Sequence, residues 1–89
     1  MGINTVFEAL SHPVRRKVLA LLKAGPLSAG DLAQHFEISR PTLSVHFAKL
    51  RDAELVLVER QGTSLIYHLN ASILEAAMAS LLSLKDDEK

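Results

Sequence analysis

The sequence predicts a single, mainly α-helical domain that carries one β-hairpin. Three observations lead to this prediction. Apolar residues recur at helical spacing along most of the chain, and they give way to β-branched and aromatic runs between residues 55 and 69. Glycine, proline or a residue that can cap a helix separates the segments. With 89 residues, the chain has room for one domain only.

The composition points to self-association and to a locally basic segment. A domain this short buries only about 60–65% of its unfolded surface, yet 48% of its residues are hydrophobic, more than such a core needs. Ten basic and ten acidic residues give a formal net charge of zero. Three of the ten acids, at residues 86–88, crowd the end of the chain, however, and the charged residues from position 38 to 51 are Arg40, Lys49 and Arg51 only.

Several classes of protein are excluded by what the sequence lacks. Without cysteine there is no disulfide, thiolate nucleophile or cysteine-ligated metal. The N-terminus does not resemble a signal peptide, and no apolar run is long enough to insert into a membrane, so we expect a cytoplasmic protein. No glycine-rich phosphate loop, metalloprotease motif or nucleophile with an evident base is present, which argues against an enzyme.

Apolar spacing and chain breakers predict the first two helices. The first covers residues 3–10. The second is capped by Ser11 or His12, has Pro13 near its first position and ends at Gly25 and Pro26. The apolar faces comprise Ile3, Val6, Phe7 and Leu10 in the first helix, and Val14, Val18, Leu21 and Leu22 in the second.

Two capped helices then predict a helix-turn-helix over residues 28–53. Ser28 caps the first of them, with Asp31 as an acidic variant of the capping box, and this helix extends through Phe36 to stop at residues 37–38. Ser39 caps the second after a connection of about three residues. The second helix is expected to bury Leu43, Phe47 and Leu50.

A hairpin and a last helix complete the chain. Two runs, residues 56–60 and 65–69, flank a loop over residues 61–64 that contains glycine, and this hairpin forms a wing over residues 55–69. Asn70 or Ser72 caps a helix over residues 71–84. Its apolar stripe is too wide for an ordinary surface helix, which predicts a second contact surface. The stripe contains Ile73, Ala77 and Leu81 in one row and Leu74, Met78 and Leu82 in the next.

The outer face of the second helix of the helix-turn-helix is suited to the major groove of DNA. Ser44 and Thr42 can hydrogen-bond base edges or phosphates, Val45 can contact a thymine methyl group, and Lys49 can neutralise a phosphate. No acidic residue lies on this face before Asp52. The alternative is a plain helical hairpin with a polar outer face. The candidate DNA-contacting residues in this helix are Arg40, Pro41, Thr42, Ser44, Val45, His46 and Lys49.

Other polar residues allow two interpretations each. Arg60, just before the hairpin loop, contacts backbone phosphate or the minor groove of DNA, or is an ordinary exposed arginine. The cluster at residues 15–17 (Arg-Arg-Lys) is a solvated face or a phosphate contact. His46 contacts phosphate or is partly buried and satisfied within the protein. The four histidines lack metal-ligand spacing, so no metal or other cofactor is expected.

The motifs together resemble the ArsR family of winged-helix repressors. The similar stretches are LSHPVRRKVLALL (residues 10–22), SAGDLA (28–33), SRPTLSVHFAKL (39–50) and AELV (53–56), followed by Arg60, Gly62, Tyr67 and Leu69. The resemblance implies a winged helix-turn-helix homodimer that binds a palindromic operator in double-stranded DNA and represses transcription, often of its own operon. It also implies that the first and last helices form the dimer interface, with Val6, Phe7, Ile73, Leu74, Ala77, Met78, Leu81 and Leu82 as candidates.

The chain departs from the family pattern in two respects. Many relatives sense metals through cysteine pairs, or through histidine and aspartate on the last helix. Here cysteine is absent, as is histidine from Ala71 onward. The chain therefore looks closer to the short SdpR-like autorepressors, which lack a metal site. In addition, Glu54 stands where a helix-ending glycine is usual.

These observations predict a sequence-specific DNA-binding repressor without a metal cofactor. Two alternatives remain open at this stage. In the first, the winged helix binds a protein through the same face, which a net charge of zero favours. In the second, the repressor responds to metal through histidine and carboxylate ligands. The sequence does not identify the inducing signal or a protein partner that relieves repression.

Overall fold

The computed structural model describes residues 2–86, which form five helices and three strands. The mainly helical fold with a hairpin wing is as predicted. In chain order the elements are α1 (Ile3–Leu10), α2 (Pro13–Leu22), β1 (Leu27–Ser28), α3 (Ala29–Ala33), α4 (Arg40–Asp52), β2 (Val56–Gln61), β3 (Ser64–Leu69) and α5 (Ala71–Asp86).

Side chains cap the N-termini of three helices. Of the two candidates before α2, His12 is the cap: its Nδ1 atom accepts a hydrogen bond from the Val14 N–H at 3.1 Å. Ser28 caps α3 by accepting from the Asp31 N–H at 3.0 Å, and Ser39 caps α4. Each cap satisfies one of the backbone donors that a helix N-terminus leaves unpaired. These local signals set where the helices begin.

Helix α3 is shorter than predicted. It ends at Ala33 rather than at residues 37–38, and Phe36 lies beyond it. The backbone N–H groups of residues 34, 35 and 36 each bond to the carbonyl three residues earlier, so the chain leaves the helix through tight turns. The predicted connection of about three residues is therefore wrong, because residues 34–39 separate α3 from α4.

The sheet contains a short strand that the sequence did not predict. The strand order is β1-β3-β2 and all pairing is antiparallel. β1 is only two residues long, too short for an alternation pattern, and Leu27 pairs with Tyr67. The hairpin strands are one residue longer at the loop than predicted, which leaves a loop of Gly62 and Thr63. Gly62 has a φ of +63°, which suits glycine at the first position of a two-residue hairpin loop.

The turn from α4 into the wing has an unusual residue at its left-handed position. Glu54, where glycine is usual, has a φ of +60°. The N–H of Leu55 bonds to the Leu50 carbonyl at 3.0 Å, and the N–H of Glu54 bonds to the Arg51 carbonyl, which is the Schellman pattern. Asn70 donates from its side chain to the Glu54 carbonyl at 2.9 Å and thereby joins this turn to the start of α5.

One core holds the helices and the sheet together. As predicted, α4 buries Leu43, Phe47 and Leu50. The Phe47 ring lies 4.8 Å from the Tyr67 ring of β3, which fixes the hairpin against α4. The core side chains comprise Val6, Ala9, Val18, Leu19, Leu22, Leu32, Leu43, Phe47, Leu50, Ala53, Leu55, Val56, Tyr67 and Ala77. None of the helices over residues 2–86 is long and apolar enough to cross a membrane.

Candidate nucleic-acid interface

Because one face of α4 is buried, the opposite face is presented outward. Of the predicted residues, Arg40, Pro41, Thr42, Ser44, Val45 and Lys49 are exposed. The Val45 side chain is 57% exposed although it is apolar and lies in the middle of the helix. The Ser39 hydroxyl donates to the Thr42 hydroxyl at 2.9 Å, which orients the first turn. The side chains of this face are mostly small or polar, and none of them from residue 40 to residue 49 is a carboxylate.

The wing places Arg60 on the side of the hairpin that faces the helices. Side chains alternate along a strand, so Arg60 shares a face with Val56, which is buried, and Val58, which is partly buried. Arg60 itself lies beyond the core and is exposed. Between the wing and the helix-turn-helix lies a cleft of about 270 Å³, lined by Ser28, Ala29, Gly30, Arg40, Thr63, Ser64 and Leu65. This cleft brings Arg40 together with the hydroxyl groups of Thr63 and Ser64, which the sequence did not single out.

Lys49 has an acidic neighbour on another helix, which the sequence of α4 does not reveal. Its Nζ atom lies 3.5 Å from a carboxylate oxygen of Glu8 on α1. Both side chains are largely exposed, so the pair is weak and easily exchanged for another anion. The sequence could not show this contact, because 41 positions separate the two residues.

His46 points toward α2 and not outward. Its Nδ1 atom lies 3.3 Å from the Nη1 atom of Arg15, and its ring lies 4.4 Å from the ring of His12. Burial lowers the pKa of His46, and the nearby His12 and Arg15 lower it further. Of the two interpretations of this histidine, the structure supports a contact within the protein.

The basic cluster at residues 15–17 is a solvated face only in part, because Arg16 and Lys17 are exposed while Arg15 is buried. Arg15 is only 8% exposed, and it donates from Nε to the Ala9 carbonyl at 2.8 Å. Arg16 donates to the Leu10 carbonyl at 2.7 Å, and Lys17 donates to the His35 carbonyl at 2.8 Å. All three cations therefore bind backbone oxygen atoms. Arg15 is a structural residue that sequence reasoning missed, since nothing in the local pattern marks it as buried.

A second exposed surface, made of apolar side chains, lies on α5. The side chains of Met78, Leu81, Leu82 and Leu84 are all more than half exposed, with Leu82 at 64%. Ile73 and Leu74 are partly buried, as is Phe7 on α1. Two of the predicted interface residues, Val6 and Ala77, are buried in the core of this chain, which leaves little of them for a partner.

The described residues show no arrangement that would hold a metal ion. Among residues 2–86, no three histidine, aspartate or glutamate side chains converge. His68 lies 3.3 Å from the Glu59 carboxylate on the outer face of the wing, but this pair is exposed.

Comparisons with known proteins agree with this geometry. Residues 10–59 match the model of a helix-turn-helix domain family. The chain is 43% identical over 81 residues to the transcriptional repressor SdpR of Bacillus subtilis, which covers 91% of this chain and 90% of that protein. It is 42% identical over 73 residues to the arsenical resistance operon repressor of Staphylococcus xylosus, covering 82% and 70%. The crystal structure of an ArsR family transcriptional regulator superposes with a TM-score of 0.88 at 29% identity, covering 93% of this chain and 91% of that one.

Proposed function

This chain belongs to the ArsR family of winged-helix DNA-binding transcriptional repressors, and on that premise we propose that it acts as a homodimer on a palindromic operator. The observation that carries the proposal is the outward face of α4, which is exposed, polar and free of carboxylates from residue 40 to 49. In a helix-turn-helix this is the helix that enters the major groove. The family assignment favours DNA over a protein as the partner of this face.

The residues of this face divide by the contact each can make. Ser44 and Val45 lie on the exposed face in the first half of α4, from where side chains reach base edges. Lys49 and Arg60 are assigned to phosphates, since a lysine or arginine at the border of the groove meets the backbone first. Arg40, Pro41 and Thr42 occupy the first turn and support the same contact. His46 is not in this set because it faces α2.

The exposed apolar surface of α5 supports the homodimer. Burying apolar area stabilises an interface by about 25 cal/mol per Å², and four large side chains of α5 are mostly exposed in the single chain. A contiguous apolar surface of this kind is typical of an interface. α1 packs beside α5 and presents Phe7 and Ile3 near it. Two copies related by a two-fold axis would bury both surfaces and present two α4 helices on one side.

The dimer is tested by placing charges in this surface. Replacing Leu81 and Leu82 with Asp should give a monomer by sedimentation velocity, because unpaired carboxylates are costly to bury. Leu57→Asp is the matched control: Leu57 is 54% exposed on β2 and lies on the wing, so this variant should remain dimeric. A monomeric wild type, or a double variant that stays dimeric, would contradict the interface.

We further propose that release from DNA does not require a metal or arsenite. Relatives include proteins named arsenical resistance operon repressors, but this chain has no cysteine to supply thiolate ligands. Zinc, cadmium or arsenite should therefore leave operator binding unchanged in a fluorescence anisotropy titration. A metal-dependent loss of binding that a chelator reverses would contradict this proposal and favour a site made of histidine and carboxylate groups.

A further inference from the structure

A buried arginine, Arg15, joins the three helices α1, α2 and α4. The guanidinium of Arg15 on α2 donates from Nε to the Ala9 carbonyl at 2.8 Å and from Nη2 to the Glu8 carbonyl at 3.1 Å, both at the end of α1. Its Nη1 atom lies 3.3 Å from Nδ1 of His46 on α4. The His12 ring packs against the His46 ring at 4.4 Å. We call Arg15, His12 and His46 the Arg15 cluster.

The chemistry of the Arg15 cluster specifies the protonation state of His46. A guanidinium has donors only, so the Arg15–His46 hydrogen bond exists only if Nδ1 of His46 accepts. The imidazole is then neutral, with its proton on Nε2. His12 obeys the same rule, because its Nδ1 atom accepts from the Val14 N–H in the cap of α2. A proton on Nδ1 of either ring would break a bond that the fold uses.

The cluster also links the two surfaces assigned above. α1 lies beside α5, the proposed dimer helix, and Arg15 holds the end of α1 while it contacts α4. The orientation of α4 relative to the dimer surface therefore depends in part on the Arg15–His46 contact. In a dimer that reads two half-sites, a small rotation of α4 would misplace both recognition helices at once.

Building on the proposed function, we propose that Arg15 and the neutral ring of His46 are positioning residues for α4, so that protonation of His46 weakens binding to DNA. Arg15 and His46 thus hold α4, the proposed reading helix, in place, and protonation of His46 removes this support.

The charged and titratable groups around His46 come from α1, α2 and α4. α2 contributes Arg15 and His12, and no carboxylate on α2 or α4 pairs with the ring. α1 contributes Glu8, whose carboxylate pairs with Lys49 of α4 at 3.5 Å and whose carbonyl is held by Arg15. Burial is the main cause that lowers the pKa of His46, and the neighbouring His12 and Arg15 lower it further. The neutral ring is favoured in the folded protein, so its contribution is complete above a pH of about 6.5 and is lost as the pH falls below it.

The sign of the effect separates this role from a phosphate contact. A histidine that touched DNA phosphate would bind more tightly when protonated, since it would gain a charge-assisted hydrogen bond. A histidine that positions α4 as a neutral acceptor gives the opposite result. The chain has three other histidines, so the comparison is made between variants and not on the wild type alone.

The test measures affinity by fluorescence anisotropy on a DNA duplex recovered by selection from a random library. Each protein is titrated from about pH 8 to about pH 5.5 at constant ionic strength. His46→Asn keeps a side-chain acceptor near the position of Nδ1 but cannot titrate. We expect wild-type affinity to fall more than that of His46→Asn over this range, by up to about tenfold, because a ring whose pKa lies below about 6.5 is only partly protonated at pH 5.5. The control His68→Gln removes an exposed histidine of the wing and should behave like the wild type.

Two results would overturn the inference. Tighter wild-type binding at low pH, abolished in His46→Asn, would make His46 a phosphate contact. Equal pH profiles in wild type and His46→Asn would show that this ring has no such role. Failure to bind any DNA at any pH would count against the proposed function instead. In that case nitrogen-15 NMR still decides, because a neutral His46 with its proton on Nδ1 would by itself contradict the cluster.

Discussion

Two basic segments of this chain look alike in sequence and differ in the structure. In the first, three consecutive cations on α2 all donate to backbone carbonyl groups, and Arg15 is buried. In the second, the three cations of α4 are more widely spaced, and all of them are exposed. The denser cluster maintains the fold, while the sparser segment provides the candidate DNA surface. Among the described residues, hydrogen bonds to backbone carbonyl groups, and not local charge density, distinguish the cations of α2 from those of α4.

The position of α1 explains the difference. The last carbonyl groups of a helix have no partners within that helix and carry partial negative charge. α1 ends at Leu10, and α2 begins only three residues later, so the cations at residues 15 and 16 lie within reach of the Glu8, Ala9 and Leu10 carbonyl groups. Because the connection between α1 and α2 is short, Arg15 and Arg16 cap the C-terminus of α1.

The largest effect is expected from removing the buried cation. Arg15→Leu should lower the free energy of unfolding by about 2–4 kcal/mol, because it leaves the Ala9 carbonyl and Nδ1 of His46 without this donor. Arg16→Ala is the matched control: this neighbouring side chain is exposed and makes one such bond, so about 1 kcal/mol or less is expected. Urea unfolding at equal protein concentration measures both. Equal stabilities of the two variants would show that the buried Arg15 contributes no more to the fold than the exposed Arg16.

An intermediate effect is expected at the outward face of α4, and on binding rather than stability. Ser44→Ala and Val45→Ala should each cost about 1–3 kcal/mol on the selected operator and change little on random DNA. Their unfolding free energies should stay within about 0.5 kcal/mol of wild type. Ser83→Ala, at an exposed serine of α5, is the control. If both α4 variants bound the operator like the wild type, α4 would not be the reader.

The smallest effect in this series concerns the exposed cations. Lys49→Ala and Arg60→Ala should weaken operator and random DNA alike and should each reduce the salt dependence of binding by about one unit. Lys23→Ala removes a lysine that is equally exposed but lies at the end of α2, and its salt dependence should match the wild type. A loss confined to the operator would reassign Lys49 or Arg60 to a base.

Most of the fold followed from local signals, and the exceptions have specific physical reasons. The caps at His12, Ser28 and Ser39 and the buried face of α4 are encoded within a few residues. β1 could not be predicted, since two residues carry no period and its pairing partner is Tyr67, distant in sequence. The end of α3 was missed because Phe36 continues the apolar spacing but lies outside the helix, beneath Lys17.

The candidate site shows the same limit. The exposed residues of α4 were identified correctly as a face, because helical period alone decides which residues oppose Leu43, Phe47 and Leu50. The contacts of His46 with Arg15, and of Lys49 with Glu8, join residues 31 and 41 positions apart. Such contacts depend on how α1, α2 and α4 pack, and periodicity contains no information about them.

The spacing of the half-sites tests most directly whether the protein is a dimer whose two α4 helices read one duplex. Two recognition helices require half-sites about one helical turn apart, roughly 10 base pairs centre to centre. Inserting about five base pairs between the half-sites of the selected operator turns one half-site to the opposite face of the duplex. We predict that tight binding, measured by fluorescence anisotropy, is then lost although each half-site keeps its sequence. Unchanged affinity for the altered operator would contradict it.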